Sequence, residues 1–166
     1  MDPSTTFQGT LTTPIGVVQL TASERGLTRL SISQESHIRE RSNQHISMAI
    51  DELTDYFNGE LKQFTIALDL PTSPGFNLRV WQQLLNINYG ETTSYGEVAS
   101  LLNSPGASQA VGAANAANPI GIIIPCHRVI GSDGALTGYA WGIEAKRWLL
   151  LHERRFRAVP AGQLFS

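Results

Sequence analysis

The apolar and polar positions change period along the chain, and each period predicts an element. Phe7 to Thr13 and Val17 to Ala22 read as strands around a turn at Thr13-Pro14-Ile15-Gly16, and Leu27 to Ile32 reads as a third strand. The polar stretch from Ser33 to Gln44 has no clean period and reads as loop or weak helix. Ile46, Ala49, Ile50, Leu53 and Phe57 then recur at helical spacing, and Asn58-Gly59 supplies a stop through the left-handed conformation both residues accept. Phe64, Ile66, Leu68 and Leu70 alternate with Thr65, Ala67 and Asp69, as in a half-buried strand.

Pro71-Thr72-Ser73-Pro74-Gly75 breaks the pattern and reads as a linker, which predicts domains over residues 1–72 and 73–166. Beyond it the pattern is mainly helical. Leu78, Trp81, Leu84 and Leu85 make one apolar stripe. Ser94 and Glu97 form a capping box for a helix through Leu102. Ser104 and Pro105 predict a second helix start, with the helix running from Gly106 to about Ala117 until Asn118-Pro119 ends it. Two short helices around a tight turn fit a helix-turn-helix or a plain helical hairpin. Ile120 to Ile124 reads as buried strand or buried extended chain that delivers Pro125-Cys126-His127-Arg128, and Gly131 to Gly134 is a turn. A last helix, capped near Gly142, is expected from Ile143 to about Arg155 with Trp148, Leu149, Leu150 and Leu151 inward and its basic residues outward. The tail from Phe156 to Ser166, with Pro160-Ala161-Gly162, reads as loop.

Composition narrows the class. With 42% hydrophobic and 16% charged residues the 166-residue chain reads as soluble and globular, not disordered. No apolar run approaches the roughly 18–20 residues that span a bilayer. Met1 to Thr5 lack a secretory pattern, so a cytoplasmic location away from membranes is expected. The net charge of −2 argues against binding DNA by bulk charge. Five of the twelve Lys and Arg fall between Lys146 and Arg157, and none lies between Val80 and His127. Any nucleic-acid contact in that middle stretch therefore rests on backbone amides, helix N-termini and neutral side chains.

One cysteine rules out an internal disulfide and a cysteine zinc cluster. Alone, it reads first as a small buried apolar residue and only second as a nucleophile. Its neighbours His127 and Arg128 bring a base and a cation close in sequence, and either raises the reactive thiolate fraction. On extended chain, adjacent side chains face opposite ways, so a bridging water is expected between Cys126 and His127. A histidine base also needs an orienting acceptor, for which Glu153 is the candidate. On spacing alone, Glu153 reads instead as a surface carboxylate pairing with Arg154 or Arg157.

Asn118-Pro119-Ile120, Ile124-Pro125-Cys126-His127-Arg128-Val129-Ile130, Gly138-Tyr139, Trp148-Leu149-Leu150 and His152-Glu153 together resemble the signature of O6-alkylguanine-DNA alkyltransferases. The match runs from about Phe76 to Glu153. The N-terminal half is similar in layout, through Thr13-Pro14-Ile15-Gly16 and Tyr56-Phe57-Asn58-Gly59. The resemblance implies an α+β chain. Its small N-terminal α/β domain would be RNase H-like or ferredoxin-like, and its mainly helical C-terminal domain would carry a winged helix-turn-helix.

The resemblance also implies a single-turnover repair reaction, in which Cys126 takes an alkyl group from O6-alkylguanine, or from O4-alkylthymine, in double-stranded DNA. His127 would take the thiol proton through water, Glu153 would steady it, Asn118 would tie the active-site loop to the helix-turn-helix, and Tyr95 would help turn out the nucleotide and protonate the departing guanine. DNA contacts would come from Tyr95, Gln109, Ala110, Gly112, Ala113, Asn115 and Arg128. Val129, Tyr139, Ala140 and Trp141 would line the base pocket with Tyr95. No cofactor or metal is implied. The protein is expected as a monomer, and cooperative loading of several copies on DNA is left open. The chain departs from the family at Gln109, where relatives usually place arginine, and the departure predicts weaker binding to duplex. Trp141 beside Tyr139 reads either as a ring that narrows the pocket or forms its lid, favouring methyl over benzyl groups, or as a Trp packed outward on the last helix. Three competing readings are a damage-binding module without transfer, a cysteine hydrolase and a transcription factor. The first sits badly with an intact Pro-Cys-His-Arg. The second requires turnover, and the third requires basic residues that this stretch lacks.

Overall fold

The computed structural model describes residues 5–32, 39–72, 75–136 and 138–157. Parts of the expected loop after Ser33, part of the expected linker and the tail beyond Arg157 lie outside them. The chain divides into two compact units between Leu70 and Pro71.

In the first unit, β1 (Phe7–Thr13), β2 (Gly16–Ala22) and β3 (Leu27–Ile32) form an antiparallel meander in the order β1-β2-β3. Thr13 pairs with Gly16 at the tight turn, and a bulge at Thr21/Ala22 shifts the register toward β3. Alternation puts Val18, Leu20 and Ala22 of β2 on the buried face, joined by Leu27 and Leu30 of β3. Helix α1 (Gln44–Phe57) packs against this sheet. Its N-cap is Asn43, whose Oδ1 accepts from the Ile46 amide at 3.0 Å, a cap that stabilises by about 1 kcal/mol. Ile46, Ala49, Leu53 and Tyr56 are its buried residues. Ile46 reaches the sheet because position 9 is glycine, where a Cβ would lie 2.7 Å from Ile46 Cγ2. At the helix end only Gly59 is left-handed (φ +79°), while Asn58 stays right-handed.

The alternating stretch from Phe64 to Leu70 is not a strand. It touches β3 through one parallel bridge, Leu27 with Leu68. The next amides upstream, Thr65 and Ile66, donate to the Glu52 carboxylate of α1 at 2.9 and 3.2 Å. A helix side chain thus takes the hydrogen bonds that a ladder would need.

The second unit packs α2 (Phe76–Leu84), α3 (Tyr95–Leu101) and α4 (Ser108–Ala116) against one another, with α5 (Ile143–Phe156) against the segment after residue 125. The apolar stripe of α2 buries Val80, Trp81 and Leu84 and leaves Leu85 exposed, because the helix ends before it. The Trp81 indole donates to the Ala114 carbonyl at 2.8 Å and ties α2 to α4. Ser94 caps α3 as expected, accepting from the Glu97 amide at 3.1 Å, but the Glu97 carboxylate turns to the Thr93 hydroxyl at 2.5 Å instead of closing the box.

Ser104 and Pro105 do not open the next helix. Asn103 (φ 57°) and Gly106 (φ +93°) are left-handed, so residues 103–106 make turns, and α4 begins at Ser108 behind Ala107 without a side-chain cap. A two-residue parallel ladder, β4 (Thr93–Ser94) with β5 (Val129–Ile130), then brings the start of α3 beside the chain that follows Cys126.

Candidate active site

Residues 120–128 form the floor of the site as a run of turns, contrary to the expected extended chain. Ile124 donates to the Ile120 carbonyl at 3.0 Å, and Cys126–Arg128 is a single 3₁₀ turn. Residues 120–129 are all buried. Ile122 sits at φ +67°, a left-handed conformation that a β-branched residue adopts only under strain of roughly 1–3 kcal/mol. Asn118 holds the run together. Its Nδ2 donates to the Ile124 carbonyl at 2.8 Å and its Oδ1 accepts from the Ile120 amide at 3.0 Å.

Behind the cysteine lies a buried charge cluster. His127 Nε2 is 2.7 Å from Glu153 Oε2, and Arg128 donates to both Glu153 oxygens, Nε to Oε1 at 2.8 Å and Nη2 to Oε2 at 3.0 Å. Arg128 Nη1 donates to the Ile87 carbonyl at 2.7 Å, and the Gly90 amide donates to Glu153 Oε1 at 3.2 Å. Glu153 is fully buried, which overturns the surface reading of this carboxylate.

Burial opposes its charge. The neighbouring His127 and then the bonded Arg128 outweigh burial and hold its carboxyl well below the usual range. His127 goes the other way: burial dominates, and its pKa falls below 6.5 although Glu153 opposes the fall. A neutral imidazole facing a carboxylate must place its proton on Nε2. The lone pair is therefore on Nδ1, which is buried and has no hydrogen bond among the described residues.

Cys126 is 5% exposed. Burial raises its thiol pKa above 9.0, while Asn118, Tyr139 and Lys146 pull it back only in part. The resting sulfur is thus held toward the thiol form, against the rise in thiolate fraction expected from its neighbours. Tyr139 turns its hydroxyl toward this sulfur. That hydroxyl is buried, forms no well-shaped hydrogen bond, and is pushed well above 10.0, first by burial and then by the cysteine.

In front of these groups opens a cleft of roughly 560 Å³, lined by Tyr95, Ser108, Gln109, Gly112, Ala116, Gly138, Tyr139 and Ala140. That volume suits a single small organic group. The structure brings together the expected Tyr95, Gln109, Gly112, Tyr139 and Ala140, and it leaves Ala110 and Ala113 exposed on α4.

Four expectations change. Arg128 is held inside by Glu153 and Ile87 and has no free face for DNA. Asn115, also expected on DNA, is 5% exposed and donates to the Cys126 carbonyl at 3.1 Å. Val129 is fully buried in β5 and does not line the cleft. Trp141 is not a lid. Its ring stands where a Cβ on Gly121 would come within 2.5 Å, so it packs on the turn run, edge-on to Tyr139 at 5.8 Å.

The sequence reading missed Lys146, placed outward with the other basic residues of α5. It is fully buried, with its Nζ 6.0 Å from the centre of the Tyr95 ring, and its charge faces Cys126. Leu151, expected inward, is exposed. The signal was spacing: Lys146, Leu149 and Glu153 stand at i, i+3 and i+7, one helix face, so the buried stripe of α5 includes the two charges.

Comparison with known proteins agrees with this layout. Residues 6–70 match the family described as 6-O-methylguanine DNA methyltransferase, ribonuclease-like domain, and residues 75–155 match the DNA binding domain of the same name. The chain is 47% identical over 152 residues to the methylated-DNA–protein-cysteine methyltransferase of Mycobacterium bovis, covering 87% of this chain and 90% of that one. It is 43% identical over 151 residues to the protein of that name from Methanosarcina acetivorans, covering 82% and 91%. Among solved structures it is similar to Mycobacterium tuberculosis OGT in complex with DNA, with a TM-score of 0.82, 46% identity, and 90% and 93% of the two chains covered.

Proposed function

We propose, from the premise that this chain belongs to the 6-O-methylguanine DNA methyltransferase family, that it repairs DNA by moving an alkyl group from O6-alkylguanine to Cys126, once per molecule. The observation that carries the reading is the line of groups from the cleft inward: Tyr139, Cys126, His127 and Glu153, with a basic lone pair on His127 Nδ1.

The thiol gives its proton to Nδ1 through a bridging water. Sulfur then attacks the methyl carbon in line with O6. The S–C bond forms as the C–O6 bond breaks, and the electron pair returns to the guanine, which takes a proton from the Tyr95 side of the cleft. Glu153 stabilises the imidazolium that forms. The thioether product is a poor leaving group, so the protein is consumed.

A methyl group on a stacked guanine cannot reach a sulfur that is 5% exposed, so the nucleotide rotates into the cleft at a cost of a few kcal/mol. Helices α3 and α4 serve as the helix-turn-helix. Gln109, Ala110, Gly112 and Ala113 present small or neutral side chains to a narrow groove, which supports entry on the minor-groove side. Residues 73–166 carry both DNA binding and chemistry, and the protein acts as a monomer.

The direct test is intact-mass analysis after incubation with a duplex oligonucleotide carrying O6-methylguanine. One increment of about 14 Da, mapped to the Cys126 peptide and reached at one equivalent, is expected. No mass gain, or repeated turnover, overturns the reading. Gln109 has neither the charge nor the planar guanidinium of arginine. Gln109→Arg should therefore tighten duplex binding by roughly tenfold at low salt and steepen the salt dependence of log Kd by about one. Unchanged affinity and slope in a fluorescence-anisotropy titration would place Gln109 outside the interface.

A further inference from the structure

Helix α4 has two working faces. Ser108, Gln109, Gly112 and Ala116 line the cleft, while Val111, Ala114 and Asn115 are buried on the other side. From that buried face Asn115 Nδ2 donates to the carbonyl oxygen of the cysteine itself, at 3.1 Å. The same oxygen accepts from the Val129 amide, so both of its lone pairs are used. Three residues further on, Asn118 clamps the Ile124 carbonyl. The two carboxamides thus grip the peptide units on either side of Pro125-Cys126.

This grip is expensive. Asn115 Oδ1 is buried and accepts no hydrogen bond from the described residues, and a buried orphan of this kind is destabilising. An apolar side chain of similar size at the same place would avoid that cost, so stability alone does not account for an amide here. The chain around the cysteine is also strained at Ile122 and needs to be held.

We propose that Asn115 is a positioning residue for the transfer reaction: it fixes the Cys126 main chain to α4, so that the helix which lines the cleft also sets where the sulfur stands. Asn115 touches neither substrate nor sulfur. Its effect falls on the rate once DNA is bound, because misplacing a nucleophile by an ångström costs up to a hundredfold in rate.

The inference rests on methyl transfer to Cys126. If the wild-type protein gains no mass from the methylated duplex, that underlying reading fails; if wild type reacts and the variants below behave like it, only the role of Asn115 fails. The experiment is single-turnover transfer at saturating methylated duplex, with duplex affinity measured alongside. Asn115→Leu keeps the volume and removes the donor. Its saturating rate should fall roughly tenfold or more, with duplex Kd within about twofold of wild type. A rate within about twofold of wild type, or a loss confined to Kd, overturns the proposal.

Asn115→Asp gives an independent readout. As a neutral acid it can donate to the Cys126 carbonyl, and as a carboxylate it cannot. Its rate relative to wild type should be higher at pH 6 than at pH 8, and a ratio that does not change with pH overturns the proposal. This second measurement decides the matter if the leucine variant does not melt cooperatively.

Discussion

Glu153→Ala should lower the unfolding free energy by about 3–5 kcal/mol, the usual cost of removing one partner from a buried ion pair. The alanine would leave the Arg128 guanidinium buried with only the Ile87 carbonyl to accept from it, and it would strand the Gly90 amide and His127 Nε2 as well. Hydrogen bonds from two separate parts of the chain, Gly90 and the adjacent pair His127 and Arg128, converge on the two carboxylate oxygens. Glu153→Gln keeps the volume but offers a single acceptor oxygen and no charge. It should lose less stability than alanine while still failing to steady an imidazolium. Urea titration measures both variants. A loss below about 1 kcal/mol for the alanine variant would mean that Arg128 finds another partner and that the cluster is not the anchor described here.

The same cluster marks where sequence reading reached its limit. Period and caps are local properties, and the elements that depend on them were legible: the β1–β3 meander, the Asn58-Gly59 end of α1 and the Ser94 cap of α3. The failures occur where a distant group takes over a local hydrogen bond. Glu52 satisfies Thr65 and Ile66, so an alternating segment does not become a strand. Left-handed Asn103 and Gly106 delay α4 past the Ser-Pro signal.

Side-chain roles follow the same division. Cys126, His127 and Asn118 stood out because the motif gathers them within ten residues. Glu153 was legible only as a candidate, since nothing in its spacing tells a surface carboxylate from one buried against His127 and Arg128. Lys146 and Asn115 were misread because charge or polarity was taken as a sign of exposure. Here each is buried beside the cysteine, Lys146 with its charge acting on the thiol and Asn115 bonded to the main chain. The polar side chains that broke the expected pattern are thus gathered at the reacting sulfur. Such local conflicts are tolerated where function requires them.

His127→Gln should slow methyl transfer by about 10²–10⁴-fold at pH 7, the range expected for loss of a positioned general base. The sharper signature is in the pH profile. In wild type the base is neutral at pH 7, since burial depresses its pKa below 6.5. Transfer should be nearly flat from pH 8 to 6.5 and decline only below that. In the variant the thiol must ionise unaided, and its pKa lies above 9.0. The rate should then climb about tenfold per pH unit between 7 and 9, as for any reaction limited by a small thiolate fraction.

Stability carries a second, independent mark of the same shift. Below pH 6.5 the unfolded chain protonates this histidine while the folded chain does not. The stability it contributes is therefore full above 6.5 and lost as pH falls from there toward the depressed native pKa. Glu153 adds its own decline below 4.5, where the unfolded carboxyl takes up a proton that the folded one refuses. Melting temperatures from pH 8 to 5 should thus fall more steeply for wild type than for His127→Gln. A wild-type transfer rate that halves at pH 6.5, or a variant whose rate ignores pH, would show that the proton leaves the sulfur by some route other than His127.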